Sequence, residues 1–324
     1  MIEYDFKQLK PMKARGTFQE LMYSSKDYVE EIKYDGHRMV AQMCQEKTRF
    51  TSDHPGKNTG LFVENTDSLP HLFNVVPALY GTAIDGEAVT DLHKRTKSNK
   101  VTTIMGASST TAIARQKFVG WMHYAVFDCL FFKGQDLRRK PLEVRQQYLF
   151  KALEIWNNPY AALVIGTISG KRAFYEQAIA NGHEGTIFKP LYSLYGNPSD
   201  WVKKKHTSTF DMVIMGFNPA RETSKKVSGE VSATKYKGQV GTMKIGQYVL
   251  DNRGKMILTQ FGKCSGIDDS LRLAMTKEPE KYIGTVIEVT AQERNPSGLL
   301  REPRFSRPRP DKRPEDCVYN PNES

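Results

Sequence analysis

The 324-residue sequence predicts an α+β fold in two domains: antiparallel sheets and helices over residues 1–207, then a small β-barrel over residues 208–324. Three observations predict it. Short strand-like runs separated by turn residues come first. Two amphipathic helical stretches then lie among further strands. Beyond residue 207 strand follows strand, with a single helix among them.

The first strands are Val29–Ile32, Met39–Met43 and Arg49–Thr51, with Asp35-Gly36 and Glu46-Lys47 as the turns between them. Ala83–Val89 reads as a strand interrupted by Gly86. His123–Phe132 is an almost unbroken apolar run, the mark of a buried strand. Pro141 opens a helix through Trp156 whose apolar members are Leu142, Val144, Leu149, Leu153 and Ile155. A second helix, Lys171–Ala180, stops at Asn181-Gly182, and the strand Thr186–Phe188 follows. In the second domain Phe210–Phe217, Met256–Gly262 and Val286–Thr290 are the clearest strands, with a helix at Asp268–Thr276. A barrel of this size with one helix suits an OB-fold. Arg221–Lys237, rich in Lys and Ser, reads as an exposed loop, and the tail after Lys312 as loosely ordered.

Lys and Arg number 47 against 36 Asp and Glu, a formal charge of +11. Such a surplus favours a polyanionic partner, because neutralised phosphates release condensed counterions. An acidic membrane surface would satisfy it equally. The four cysteines, Cys44, Cys129, Cys264 and Cys317, are scattered without a CxxC pair, which argues against a zinc site or disulfide framework and for a reducing compartment. The start of the chain is charged and has no signal core, and no apolar run is long enough for a bilayer. A soluble cytoplasmic protein with no membrane partner is expected.

The chemistry gathers around Glu31-Ile32-Lys33-Tyr34-Asp35-Gly36-His37-Arg38. A lysine at a strand end before Asp-Gly sits on a turn where its amine can face a pocket, and Gly36 would let the backbone approach a ligand. An ordinary lysine, with a pKa of about 10.4, is protonated at neutral pH and a poor nucleophile. Neighbouring cations such as Arg38 or a divalent metal would lower that value. Alone, the octet fits a surface hairpin equally well. Further along come Asp85-Gly86-Glu87, then Tyr124 to Asp128, then Glu184 to Lys189. In Trp201-Val202-Lys203-Lys204-Lys205, Lys203 and Lys205 share one face of a strand. Last is the basic run Arg301 to Lys312. Each has a dull explanation singly, but the ordered set is hard to obtain by accident.

With these motifs the chain resembles the covalent nucleotidyltransferase superfamily, specifically the small ATP-dependent DNA ligases of viruses, phages and some bacteria. KxDGxR at Lys33–Arg38, DGE at Asp85–Glu87, YxxFD at Tyr124–Asp128, EGxxxK at Glu184–Lys189, WxKxK at Trp201–Lys205 and RxPRFxRxRxDK at Arg301–Lys312 keep the family order, with PLxxR at Pro141–Arg145 a weaker match. The resemblance implies an ATP-grasp-like nucleotidyltransferase (adenylation) domain followed by the OB-fold. It implies that Lys33 attacks the α-phosphorus of ATP and carries AMP. Glu31 would read the adenine edge and Phe127 would stack on the base. Arg38 and Glu87 would hold the ribose and neighbouring phosphate, and Lys203 and Lys205 the α-phosphate. Asp35, Glu87 and Glu184 would position Mg²⁺ or Mn²⁺. Arg309, Asp311 and Lys312 would orient departing pyrophosphate.

The implied partner is nicked duplex DNA, gripped in part by Arg221, Lys225, Lys226, Lys235 and Lys237, by a monomer in a bacterial or phage-infected cytoplasm. Little chain precedes Lys33, so a separate N-terminal DNA-binding domain is expected to be absent. One departure stands out: where the family has Ser-Arg after the first hairpin, this chain has Ser52-Asp53, with Arg49 or Lys57 as possible substitutes. The rival readings are a GTP-dependent mRNA guanylyltransferase, an RNA ligase and a non-catalytic OB-fold nucleic-acid-binding protein. The first usually carries a Trp ahead of its terminal basic run, absent here.

Overall fold

A computed structural model describes residues 9–56, 59–94, 98–225, 231–295 and 297–320. The chain forms two compact units, Met1–Lys205 and His206–Ser324.

The first unit holds two sheets. A large mixed sheet, mostly antiparallel, contains β2 (His37–Met43), β3 (Thr48–Pro55), β4 (Phe62–Glu64), β5 (Ala83–Val89), β6 (His123–Phe132), β7 (Gln135–Asp136) and β8 (Ala161–Leu163). Its order is β4-β3-β2-β5-β6-β7, and β8 pairs with β6 in parallel. A small antiparallel sheet runs β11 (Val202–Lys205), β10 (Gly185–Pro190), β1 (Tyr28–Ile32), β9 (Gly166–Thr167). The helices are α1 (Ser98–Met105), α2 (Ser109–Val119), α3 (Leu142–Trp156) and α4 (Lys171–Ala180).

Strand alternation sorts side chains onto two cores. Tyr124 and Val126 of β6 join Met39, Ala41 and Ile84 in a core covered by α1, α2 and α3. Ala125 and Phe127, from the other face, pack with Ile32, Tyr34 and Trp201. Gly86 is indispensable to the first core, because a Cβ there would lie 2.7 Å from the Tyr124 ring and 2.8 Å from the Ala125 carbonyl oxygen. The Tyr124 hydroxyl reaches across β5 and β2, 2.9 Å from the carbonyl oxygens of both Ile84 and Met39.

The strands and helices expected between Val29 and Phe188 all form, most with ends moved by a residue or more. Three readings are corrected, and two helices appear where none was expected. The helices α1 and α2 occupy a stretch left without structure, and Ser108 caps α2 by accepting from the Thr111 N–H. On α3, Ile155 is 37% exposed while Arg145 is fully buried, because Asp128 and two carbonyls satisfy its guanidinium. The expected loop Arg221–Lys237 contains the hairpin β13 (Thr223–Lys225) and β14 (Val231–Ala233). The tail is tied down through Tyr319: its N–H donates to the Tyr248 carbonyl oxygen at 2.8 Å, the Tyr248 N–H donates to the Cys317 carbonyl oxygen at 2.8 Å, and the Tyr319 ring centroid lies 4.7 Å from that of Phe261.

The second unit is built on a five-stranded antiparallel sheet, β16 (Met256–Cys264), β15 (Val240–Leu250), β12 (Ser208–Pro219), β17 (Val286–Ala291), β20 (Arg304–Pro308). The short pair β18 (Glu293–Arg294) and β19 (Leu300–Arg301) stands beside it. Asp268 caps α5 (Asp269–Lys277) by accepting from the Leu271 N–H at 2.8 Å. Its Met275 enters the core with Met212, Ile245 and Phe261. The two edge strands approach through a bridge between Ser265 and Arg304.

Candidate functional site

Lys33 follows β1, and its backbone N–H donates to the Gly185 carbonyl oxygen at 2.9 Å. That bond sets the lysine beside Glu184, whose Oε2 accepts from Lys33 Nζ while its Oε1 lies 3.0 Å from Lys205 Nζ. One carboxylate thus joins two ammonium groups that are 172 residues apart, a separation that follows from positions 33 and 205.

The small sheet's register decides what shares that face. Gly185 opposes Lys205, Ile187 opposes both Lys203 and Glu31, and Lys189 opposes Val29. Lys203, Lys205, Glu31 and Lys189 therefore stand on one side, and Lys204 on the other. Glu31 is buried, with Lys189 Nζ at 2.5 Å from Oε2 and the Gln146 amide donating to Oε1 at 3.3 Å. Burial pushes its pKa up against the pull of Lys189.

The large sheet supplies the facing groups. Arg38 on β2 opposes Glu87 on β5. Its guanidinium forks onto Asp85 with two bonds of 2.7 Å, donates to the Met12 carbonyl oxygen at 3.2 Å, and lies 4.5 Å from the Phe127 ring centroid. Tyr195 donates to the same Asp85 carboxylate at 2.6 Å. Phe127 occupies a break in register between β5 and β6, with Lys189 at 4.4 Å and Trp201 edge-on at 5.9 Å. Phe127 is 8% exposed. Burial raises Glu87 to about 7, against the pull of Arg38 and Lys33.

Gly36 is also required by packing: a Cβ there would lie 2.3 Å from the Ala88 carbonyl oxygen. Asp35 sits in the turn ahead of β2. Among the described residues no three His, Cys, Asp or Glu side chains gather to hold a metal, so Asp35, Glu87 and Glu184 do not form a ready-made cage. Carboxylates of this kind fit Mg²⁺, which binds through one or two of them and completes its shell with phosphate and water.

In the second unit, Asp211 on β12 receives Arg309 Nη1 at 2.7 Å and Lys312 Nζ at 3.0 Å. Asp311 forks back onto Arg309, whose hydrogen bonds hold the carboxyl near 2. Arg221 and Lys237 are exposed, whereas Lys235 is paired with Asp269 at 2.5 Å. Only the backbone of Lys225 is described, and Lys226 lies outside the described residues.

Asp85, Tyr195 and Lys189 were given no role in the sequence reading. Lys189 was within reach of it, since it stands two residues after Ile187 on the same strand face. The Asp85–Arg38 fork has no local signal, because its partners are 47 positions apart and on different strands.

A strand-end lysine held by a carboxylate, with further lysines on its face and an arginine opposite, defines an α+β domain suited to handling phosphate. The chain belongs to the family described as ATP dependent DNA ligase domain, whose profile matches residues 11–205. A probable DNA ligase of Rhodococcus opacus (strain B4) is 29% identical over 193 residues, 57% of this chain and 35% of that protein. The SPbeta prophage-derived DNA ligase-like protein LigB of Bacillus subtilis (strain 168) is 24% identical over 203 residues, 60% of this chain and 67% of that one. The match thus spans about a third of the Rhodococcus protein's length and about two thirds of the Bacillus protein's. Among solved structures, a Lig E DNA ligase superposes with a TM-score of 0.61 at 15% identity, covering 93% of this chain and 99% of that one. That likeness is one of fold.

Proposed function

We propose that the protein is an ATP-dependent DNA ligase that seals nicks in duplex DNA through a lysine-bound AMP. The observation that carries the reading is Lys33 joined to Lys205 through Glu184, inside the segment that matches the ligase family. Lys33 Nζ attacks the α-phosphorus of ATP, the bond to pyrophosphate breaks, and a phosphoramidate forms. AMP then passes to the 5′-phosphate at a nick, and the neighbouring 3′-hydroxyl displaces it.

Such transfers need in-line placement and charge neutralisation more than acid–base chemistry. Lys203 and Lys205 are assigned to the α-phosphate, and Arg38 and Glu87 to the ribose and neighbouring phosphate. Glu31 is assigned to the edge of the base and Phe127 to stacking on it. Glu184 accepts from Lys33 in the resting site, so it is placed to orient the amine and then to meet a metal once the nucleotide arrives. Mg²⁺, held by Glu184 with help from Asp35 and Glu87, would neutralise phosphate oxygens. Arg309, Asp311 and Lys312 would orient pyrophosphate.

Residues 1–207 form the adenylation domain in this reading and residues 208–324 an OB-fold. The five-stranded sheet, its single helix and the Ser265–Arg304 bridge between edge strands support the latter. The partner is nicked duplex DNA, contacted in part by exposed Arg221 and Lys237, and the enzyme acts as a monomer in the cytoplasm. DNA replication, repair or recombination would use it.

Intact mass after incubation with Mg²⁺ and either ATP or GTP tests the reading. A gain of one AMP with ATP alone, absent from Lys33→Ala, is expected. A gain with GTP alone would make the protein a guanylyltransferase. No gain from AMP-free protein would remove the covalent mechanism and favour a binding protein.

A further inference from the structure

Asp53 is a carboxylate at the mouth of a site that has to take up phosphate. Met39 opposes Ser52 across β2 and β3, so continuing the register sets Asp53 beside Arg38, and Glu87 lies on Arg38's other side. The three side chains form a row across one face of the large sheet, and the negative charge of Asp53 helps to raise Glu87. A bare acid there would repel a phosphate. Asp53 is not bare: Lys13 Nζ lies 3.1 Å from its Oδ2, and the His54 ring meets its Oδ1.

Lys13 reaches this place because its neighbour is locked into the site. The Met12 carbonyl oxygen accepts from Arg38, and the Met12 N–H donates to the Tyr195 hydroxyl at 2.8 Å. Four residues after Met12, the Gly16 N–H donates to the Trp201 carbonyl oxygen at 3.0 Å. Between these anchors the Lys13 side chain is 48% exposed, whereas that of Asp53 is 12% exposed.

We propose that Lys13, held by Asp53, is a phosphate-binding residue of the nucleotidyl-transfer site. Its ligand is a phosphate carried on ATP or on the 5′ end of nicked DNA. The inference rests on the function proposed above. Lys13 is the exposed member of the pair, so its ammonium can turn from Asp53 to a phosphate while the His54 ring stays beside the carboxylate. Four other cations of the first unit's site hold buried or bridging partners: Arg38 with Asp85, Lys189 with Glu31, and Lys33 and Lys205 with Glu184. Of the substitutes suggested by the sequence, Arg49 does not stand here. Arg49 forks onto Glu64, four residues or about 13 Å along the strand from Asp53. Lys57 lies outside the described residues.

The test uses the full chain as wild type, Lys13→Ala, Lys13→Arg and Lys13→Ala with Asp53→Arg. One arm measures lysine-AMP formation over a range of ATP concentrations. The other mixes preformed enzyme-AMP with nicked duplex bearing a 5′-phosphate and follows AMP transfer in a single turnover. Lys13→Ala is expected to slow at least one arm by about tenfold, the worth of one charged hydrogen bond. Lys13→Arg should recover it. So should the double variant, which returns a cation from the strand itself, as no merely structural role for Lys13 would allow. A defect in the first arm assigns the phosphate to ATP, and in the second to DNA. Wild-type rates for Lys13→Ala in both arms would overturn the inference while leaving ligation intact. A wild type that gains no AMP would instead remove the proposed function, and this inference with it.

Discussion

Glu30 and Glu31 are neighbours on β1, both buried, and the strand turns them to opposite faces of the small sheet. Glu31 finds Lys189. Glu30 finds only the Thr186 hydroxyl, 2.6 Å from Oε1, and its Oε2 has no hydrogen-bond partner. Burial raises Glu30 from 4.5 to about 7, over the opposing effects of Thr186 and Lys171. A carboxyl that binds its proton more tightly when folded stabilises the fold fully below the unfolded value, and that contribution is lost as pH rises through 7. Urea unfolding should therefore find stability falling between about pH 4.5 and 7. Glu30→Gln should remove part of the slope and add about 2 kcal/mol at pH 8. Glu87 and Glu31, raised by the same cause, contribute to the slope that remains. An unchanged slope would mean that Glu30 ionises normally. The sequence offered no hint of this, because Glu30 and Glu31 look alike until the register assigns each a face. By contrast, the shared face of Lys203 and Lys205 was legible, since it needs only strand periodicity.

At the scale of elements, legibility tracked how strongly a segment's pattern departs from neutral. β6 is nearly all apolar and both of its ends were readable. The stretch holding α1 and α2 mixes Ser, Thr, Ile and Val, weak helix formers that give little local signal. Tertiary packing decides there: Val101, Ile104, Met105 and Ala112 complete the core beneath the large sheet. Gly86 tests how that core is fixed. Gly86→Ala would drive a methyl group into the Tyr124 ring, which is pinned through its hydroxyl on two strands and cannot retreat. A loss of about 3 kcal/mol is expected in denaturant unfolding, typical of overpacking a closed core. Tyr124→Phe, which keeps the ring and drops the hydroxyl, should cost only about 1 kcal/mol. If Gly86→Ala cost less than Tyr124→Phe, the ring would not be held as the hydrogen bonds imply.

For the whole molecule, a change of character near residue 207 was visible in the sequence, and the chain divides into compact units after Lys205. What stayed hidden is that the terminal basic motif is not idle within its own unit. Asp211 holds both Arg309 and Lys312, 98 and 101 positions away, and Asp311 turns back onto Arg309. Any role on a triphosphate therefore begins with an exchange of these acids for phosphate oxygens, which the exposed position of Asp311 and Lys312 makes cheap. The proposed chemistry then makes an asymmetric demand. Pyrophosphate leaves only in the first step, so groups that orient it should matter for forming lysine-AMP and not for the final joining. Arg309→Ala with Lys312→Ala should lower the rate of lysine-AMP formation by about a hundredfold, on the scale of losing positioned charge at a leaving group. Sealing of a nick that already carries AMP on its 5′-phosphate should stay within about threefold of wild type, since pyrophosphate plays no part there. A loss confined to sealing, with lysine-AMP formation at the wild-type rate, would instead assign Arg309 and Lys312 to DNA binding. Such a loss should shrink as salt is raised, because a variant with fewer phosphate contacts releases fewer counterions and so has a shallower salt dependence than the wild type.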